Sequence, residues 1–137
     1  MVVRPLNFTV RGHAVAESRD GRIWNRAVLN SGGPTPRPGD VALAALMRFH
    51  GLAMNGGVEH ALEVLSDREL DAAIAGFEHF DMAEVASVLA ALRSSASDEK
   101  EMDMLQERYG ALVPSDSVLT AAFRGRLAAF PDDFAPI

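Results

Sequence analysis

Asp40-Val41-Ala42-Leu43-Ala44-Ala45-Leu46-Met47-Arg48-Phe49-His50-Gly51-Leu52-Ala53-Met54-Asn55-Gly56-Gly57 is a stretch with almost no polar face. From Val41 to Met54 only Arg48 and His50 are clearly polar, and Leu43, Leu46, Met47, His50 and Met54 recur at helical spacing. A helix that is apolar nearly all round is covered by neighbours, so this one is expected at the centre of a core. Asp40, following Pro38-Gly39, reads as its N-cap. Asn55-Gly56-Gly57 reads as its stop, since asparagine and glycine tolerate a left-handed backbone. In that reading Gly56 or Gly57 supplies a positive φ and a close helix approach, and Asn55 caps or bonds a neighbouring backbone group.

Working toward the C-terminus, short amphipathic segments follow one another. A second short helix is expected from about Val58 to Leu65, with Val58, Ala61, Leu62 and Leu65 on one face. Ser66-Asp67-Arg68-Glu69 is a capping box opening a helix with Leu70, Ala73, Ile74 and Phe77 inside. Asp81-Met82-Ala83-Glu84 has the same logic, with Asp81 as cap and Val85, Val88, Leu89 and Leu92 inside. Asp98 and Glu101 open a helix carrying Met102, Leu105 and Tyr109. Pro114-Ser115-Asp116 opens the last, with Leu119, Ala122, Phe123, Leu127 and Phe130, before Pro131 ends it. The expected fold is all-α: a single compact domain of about six short helices around the central apolar one.

Toward the N-terminus the pattern changes. Gly32-Gly33-Pro34-Thr35-Pro36-Arg37-Pro38-Gly39 is too rich in proline and glycine for helix or strand. Before it, Leu6, Phe8 and Val10 alternate with polar residues, the period of an extended segment. Asp20-Gly21 is placed to close a hairpin onto Ile23–Leu29, although Ile23, Ala27 and Val28 also share a helical face. Residues 1–39 are therefore expected to form a mostly irregular or extended arm with its loop, anchored by Trp24, and residues 40–137 the helical domain.

The 137 residues carry 13 basic and 19 acidic side chains, a net charge of −6. The arm holds six arginines against Glu17 and Asp20, net +4, and the rest holds seven basic against seventeen acidic groups, net −10. That balance argues against nucleic acid as the main direct partner. There is no cysteine, which excludes disulfides, thiolate metal sites and a cysteine nucleophile. The start has no signal-peptide pattern, and the longest apolar run is too short for a membrane span. A cytoplasmic protein without a membrane partner is expected.

Motifs of chemistry are scarce. There is no phosphate loop, no Gly-x-Ser-x-Gly elbow and no His-Glu-x-x-His, and no histidine has a glutamate three residues before it. No metal, cofactor or catalytic group is assigned. His50 and His60, near the glycine pair, are the residues from which a small-molecule or metal pocket, even an enzyme, would be built. The acidic groups are more suggestive. Glu59 and Glu63 are like-charged neighbours one turn apart, and Asp67 and Asp71 follow. Such a row attracts basic protein surfaces and speeds association with them.

Phe49-His50-Gly51-Leu52-Ala53-Met54-Asn55-Gly56-Gly57-Val58-Glu59-His60-Ala61-Leu62 resembles the signature of the DNA-mimic-protein-like family of small, acidic, all-helical bacterial domains. The short helix pair over Leu65 to Leu92 and the tail Ala128-Ala129-Phe130-Pro131-Asp132-Asp133-Phe134 also resemble it, so the likeness covers roughly residues 40–134. The aromatic residues that family carries after its glycines are replaced by His60, Ala61 and Leu62. The resemblance implies a DNA-mimic or antitoxin-like immunity role. Together these readings predict a non-enzymatic interaction domain that offers Glu59, Glu63, Asp67 and Asp71 to a basic protein partner. The alternative is the His50–His60 pocket, and a homodimer embraced by the arm is a third arrangement.

Overall fold

The computed structural model describes residues 9–10, 13–14 and 18–137. Two short strands, β1 (Thr9–Val10) and β2 (His13–Ala14), pair antiparallel with Thr9 opposite Ala14 and Val10 opposite His13. The rest is helical: α1 (Arg19–Asn30), α2 (Pro38–Val64), α3 (Asp67–His79), α4 (Ala83–Ser94), α5 (Glu99–Leu112) and α6 (Asp116–Ala129). A 3-10 turn, Pro131–Asp133, begins the C-terminal tail. The alternation at Val10 falls on β1, whereas Leu6 and Phe8 lie outside the described residues.

The second half of the arm is a helix. Ser18 accepts from the Gly21 amide at 3.2 Å, which caps α1 and takes Asp20-Gly21 out of hairpin geometry. Ile23, Trp24 and Ala27 then fall on one face and are buried. α1 ends at Ser31, left-handed at φ 53°, with the Gly32 amide on the Arg26 carbonyl at 3.1 Å. Trp24 anchors this helix as expected, its ring 5.7 Å from that of Phe123 on α6. Residues 19–39 thus share one core with residues 40–137.

α2 is the central element, packing against α1, α3, α4 and α5. Its start differs from expectation, whereas its glycines interrupt it and Gly57 takes the expected positive φ. Arg37 is the residue before the first turn and Pro38 opens the helix; Asp40 lies inside it and reaches back to accept from the Arg37 amide at 2.9 Å. Asn55-Gly56-Gly57 breaks the helix where expected, and a second helical run follows at a kink. Gly56 sits at φ −147°, ψ 16° and Gly57 at φ 85°, ψ 171°, after which the helix resumes to Val64. The close helix approach belongs to another glycine. A Cβ on Gly76 of α3 would lie 2.5 Å from the Ala42 carbonyl oxygen of α2.

The capping box of α3 forms as read, with Ser66 Oγ accepting from the Glu69 amide at 3.1 Å and Glu69 Oε1 from the Ser66 amide at 3.0 Å. Asp81 does not cap α4. It is left-handed, φ 59°, and closes α3, with the Met82 amide on the Phe77 carbonyl at 2.9 Å. The aromatic core joins distant elements: Phe49 and Phe77 both meet Tyr109 edge-on, and Phe123 meets Phe134 of the tail at 5.5 Å.

Candidate functional site

Three polar knots, centred on Asp40, Asp133 and His50, tie distant elements together. Asp40 is fully buried. Its Oδ1 accepts from Arg26 Nη2 at 2.9 Å, and its Oδ2 from the amides of Arg37 at 2.9 Å and Ala135 at 2.7 Å. One carboxylate thereby joins α1, the loop before α2 and the tail. Asp133 does the same at the other end of the tail, bonded to His79 of α3 at 2.6 Å and to Arg126 of α6 at 3.1 Å.

The third knot contains His50. Its ring is fully buried, with Nδ1 2.8 Å from the Tyr109 hydroxyl and Nε2 2.8 Å from Asp116 Oδ1. Each ring nitrogen thus has one oxygen partner, with the donor and acceptor roles set by the ring's tautomer. Burial, with the Asp116 carboxylate adding to it, pushes the Tyr109 phenol well above its usual range. Both ring nitrogens are engaged and neither meets solvent. His60, half-buried, folds back over the kink, where a Cβ on Gly56 would lie 2.7 Å from its ring. The two histidines therefore have different surroundings, and His50 has no exposed surface with which to line an open pocket. No group of three or more metal-binding side chains is gathered among the described residues.

The kink has its own partner on α5. Gln106 Oε1 accepts from the Val58 amide at 2.7 Å, the first turn of the resumed helix. A side chain from another helix thus caps this terminus. A Cβ on Gly57 would stand 3.0 Å from that same oxygen. Asn55 is exposed.

Of the expected contact residues, Glu59 and Glu63 are exposed and form no ion pair among the described residues. Asp71 is bound by Arg93 of α4 at 2.5 Å, and the Asp67 carbonyl accepts from the same guanidinium at 3.3 Å. Next to them Arg48 pairs with Glu69 at 2.9 Å. The Ser66 amide and then the Arg48 guanidinium hold the Glu69 carboxyl below the usual carboxylate range. Of these four carboxylates only that of Asp71 is ion-paired among the described residues, while Glu59, Glu63 and Asp67 carry unpaired acidic charge.

A groove of about 420 Å³ runs between α4 and α5. Glu84, Ser87, Val88 and Ala91 line it from α4, and Glu101, Met104, Leu105 and Arg108 from α5, each set at the spacing of one helix face. Val88 and Leu105 belong to the core margin, while Met104 is 62% exposed. Arg108 reaches Glu84 at 3.1 Å across an exposed rim, and Glu101 has no ion-pair partner among the described residues. The opposite edge of α5 holds Gln106, bound to α2, with Asp103 one turn before it. The sequence carries one sign of this groove. Met104 lies off the Met102–Leu105–Tyr109 stripe, an apolar side chain on an otherwise charged face. Gln106 has no such sign, because its partner is a main-chain amide.

No protein-family model, curated protein or solved structure matches the chain. Among the described residues no helix is long and apolar enough to cross a membrane.

Proposed function

We propose that this protein is a non-enzymatic interaction domain, and that its α4–α5 groove receives an amphipathic, basic helix of a partner protein. The observation that supports this most is the pairing of exposed Met104 with Glu84 and Glu101 on one groove. An apolar strip rimmed by carboxylates complements a helix with apolar residues at i, i+3 and i+4 and lysine or arginine beside them. The acids Glu59 and Glu63 extend the attraction and speed encounter. Burial of His50 favours this reading over a histidine pocket. A DNA-mimic or immunity role, as the Asn-Gly-Gly resemblance implies, is one form such recognition takes.

The test is fluorescence anisotropy with a labelled leucine–lysine amphipathic peptide, alongside a scrambled peptide of equal charge. The helical peptide is expected to bind more tightly than the scrambled one and to weaken with salt. Met104→Ser and Glu101→Lys are each expected to weaken it about tenfold or more, the value of a desolvated apolar anchor. Equal binding of both peptides, or indifference to both substitutions, would overturn the assignment.

A further inference from the structure

The basic residues of the arm are not spent on the acidic body. Of the four arginines on described residues, only Arg26 has a carboxylate partner, Asp40. Arg19, Arg22 and Arg37 line one cleft of about 530 Å³ together with Asp132, Phe134, Pro136 and Ile137. Arg19 Nη2 donates to the Pro131 carbonyl at 3.1 Å. Arg37 Nη1 donates to the carbonyls of Asp132 at 3.1 Å and Phe134 at 3.4 Å. These acceptors are main-chain oxygens without formal charge. They hold two guanidiniums in position and leave the positive charge uncompensated. None of the three arginines forms an ion pair among the described residues.

From this we infer that the cleft between the first turns of α1 and the C-terminal tail binds a small phosphomonoester. Three guanidiniums against the Asp132 carboxylate make the side chains lining the cleft net positive, which suits an anion. Guanidinium forks bind phosphate oxygens in pairs, and each arginine keeps free N–H groups for that purpose. The volume is that of a small-molecule site, and Pro136 with half-exposed Ile137 offers an apolar wall for the organic part. The cleft shares no lining residue with the α4–α5 groove, so the two assignments stand or fall separately.

The experiment titrates the full chain with phenyl phosphate, inorganic phosphate and benzoate, read by amide chemical shifts and calorimetry. Phenyl phosphate is expected to saturate in the micromolar to low millimolar range, ahead of both others. Its affinity is expected to rise as pH passes about 6, where the second phosphate proton leaves. Arg22→Gln is expected to weaken it at least tenfold at unchanged thermal midpoint, since the Arg22 side chain is exposed and makes no hydrogen bond or ion pair among the described residues. Met104→Ser is expected to leave it unaltered. Non-saturating titration, benzoate binding as well as phenyl phosphate, or wild-type affinity in Arg22→Gln would overturn the proposal. Tighter binding of a phosphoserine peptide than of phenyl phosphate would overturn the small-molecule assignment.

Discussion

Replacing Arg26 with methionine tests what ties the arm to the rest of the protein. Methionine keeps much of the side-chain stem that packs at this position and removes the charge and its N–H groups. Asp40 would then be fully buried with Oδ1 bare and Oδ2 still bonded to the Arg37 and Ala135 amides. Removing one partner of a buried ion pair costs about 3–5 kcal/mol, because the remaining charge stays desolvated. The carbonyls of Ala135 and Pro136 lose a donor as well. For 137 residues the entropy of unfolding is roughly 0.29 kcal/mol per kelvin, so the midpoint should fall by about 10–17 °C. Trp24, the only tryptophan and buried beside this knot, reports the transition by fluorescence. Adding Asp40→Asn should return part of the loss, since a neutral amide oxygen still accepts from the two backbone donors. The coupling between the two substitutions should be about 1–3 kcal/mol. A drop of less than about 3 °C in Arg26→Met, or strictly additive effects, would refute the buried-charge reasoning.

Gly57→Ala should destabilise by about 1–3 kcal/mol, because φ 85° with ψ 171° is a region nearly closed to other residues and the new Cβ meets Gln106. Gly125→Ala, in α6 with open space around it, should instead stabilise by about 0.5–1 kcal/mol, and urea midpoints of the two variants should move in opposite directions. Tyr109 gives an alkaline signature. Its folded-state pKa is raised, so its contribution is complete below the unfolded value of about 10 and declines as pH rises beyond it. The chain has one tyrosine, and its one lysine, Lys100, is exposed, so urea midpoints from about pH 9 to pH 11 should fall in the wild type. Tyr109→Phe should flatten that limb and lower stability by about 1–3 kcal/mol at neutral pH, where His50 Nδ1 loses its hydrogen-bond partner.

The periodicity of Val41 to Met54 was enough to identify the central helix, because a segment apolar on all sides has one comfortable place in a globular domain. The capping box at Ser66 was equally legible, since its donors and acceptors lie within four residues. Local reading failed where a distant group competed. Asp40 has the composition of an N-cap, yet its carboxylate is taken by Arg26 and Ala135, which are 14 and 95 residues away. Asp81 precedes a helix as a cap would, but the chain uses it to close the helix before. The Asn-Gly-Gly break and the helical run after it are both legible in the sequence, but the acceptor for the Val58 amide is not, because Gln106 supplies it from α5. The candidate sites follow the same division. The acidic row was visible as a row, but Arg48 and Arg93 offset part of it, and only tertiary structure brings Met104 to Glu84.

The tail explains how a basic arm lies on an acidic body without being neutralised by it. Had Arg19 and Arg37 been docked on carboxylates, the arm's charge would have disappeared into ion pairs. They are docked instead on carbonyls of Pro131, Asp132 and Phe134, while the acidic side chain in this segment that binds strongly, Asp133, is turned toward His79 and Arg126. Only Arg26 meets a carboxylate, and that pair is buried, where it fastens the chain and adds nothing to the outer field. Among the described residues, the arm's arginines other than Arg26 thus keep their charge after folding. On the acidic side Arg48, Arg93 and Arg108 each meet a carboxylate, whereas Arg19 and Arg37 are held by main-chain carbonyls that leave their charge in place.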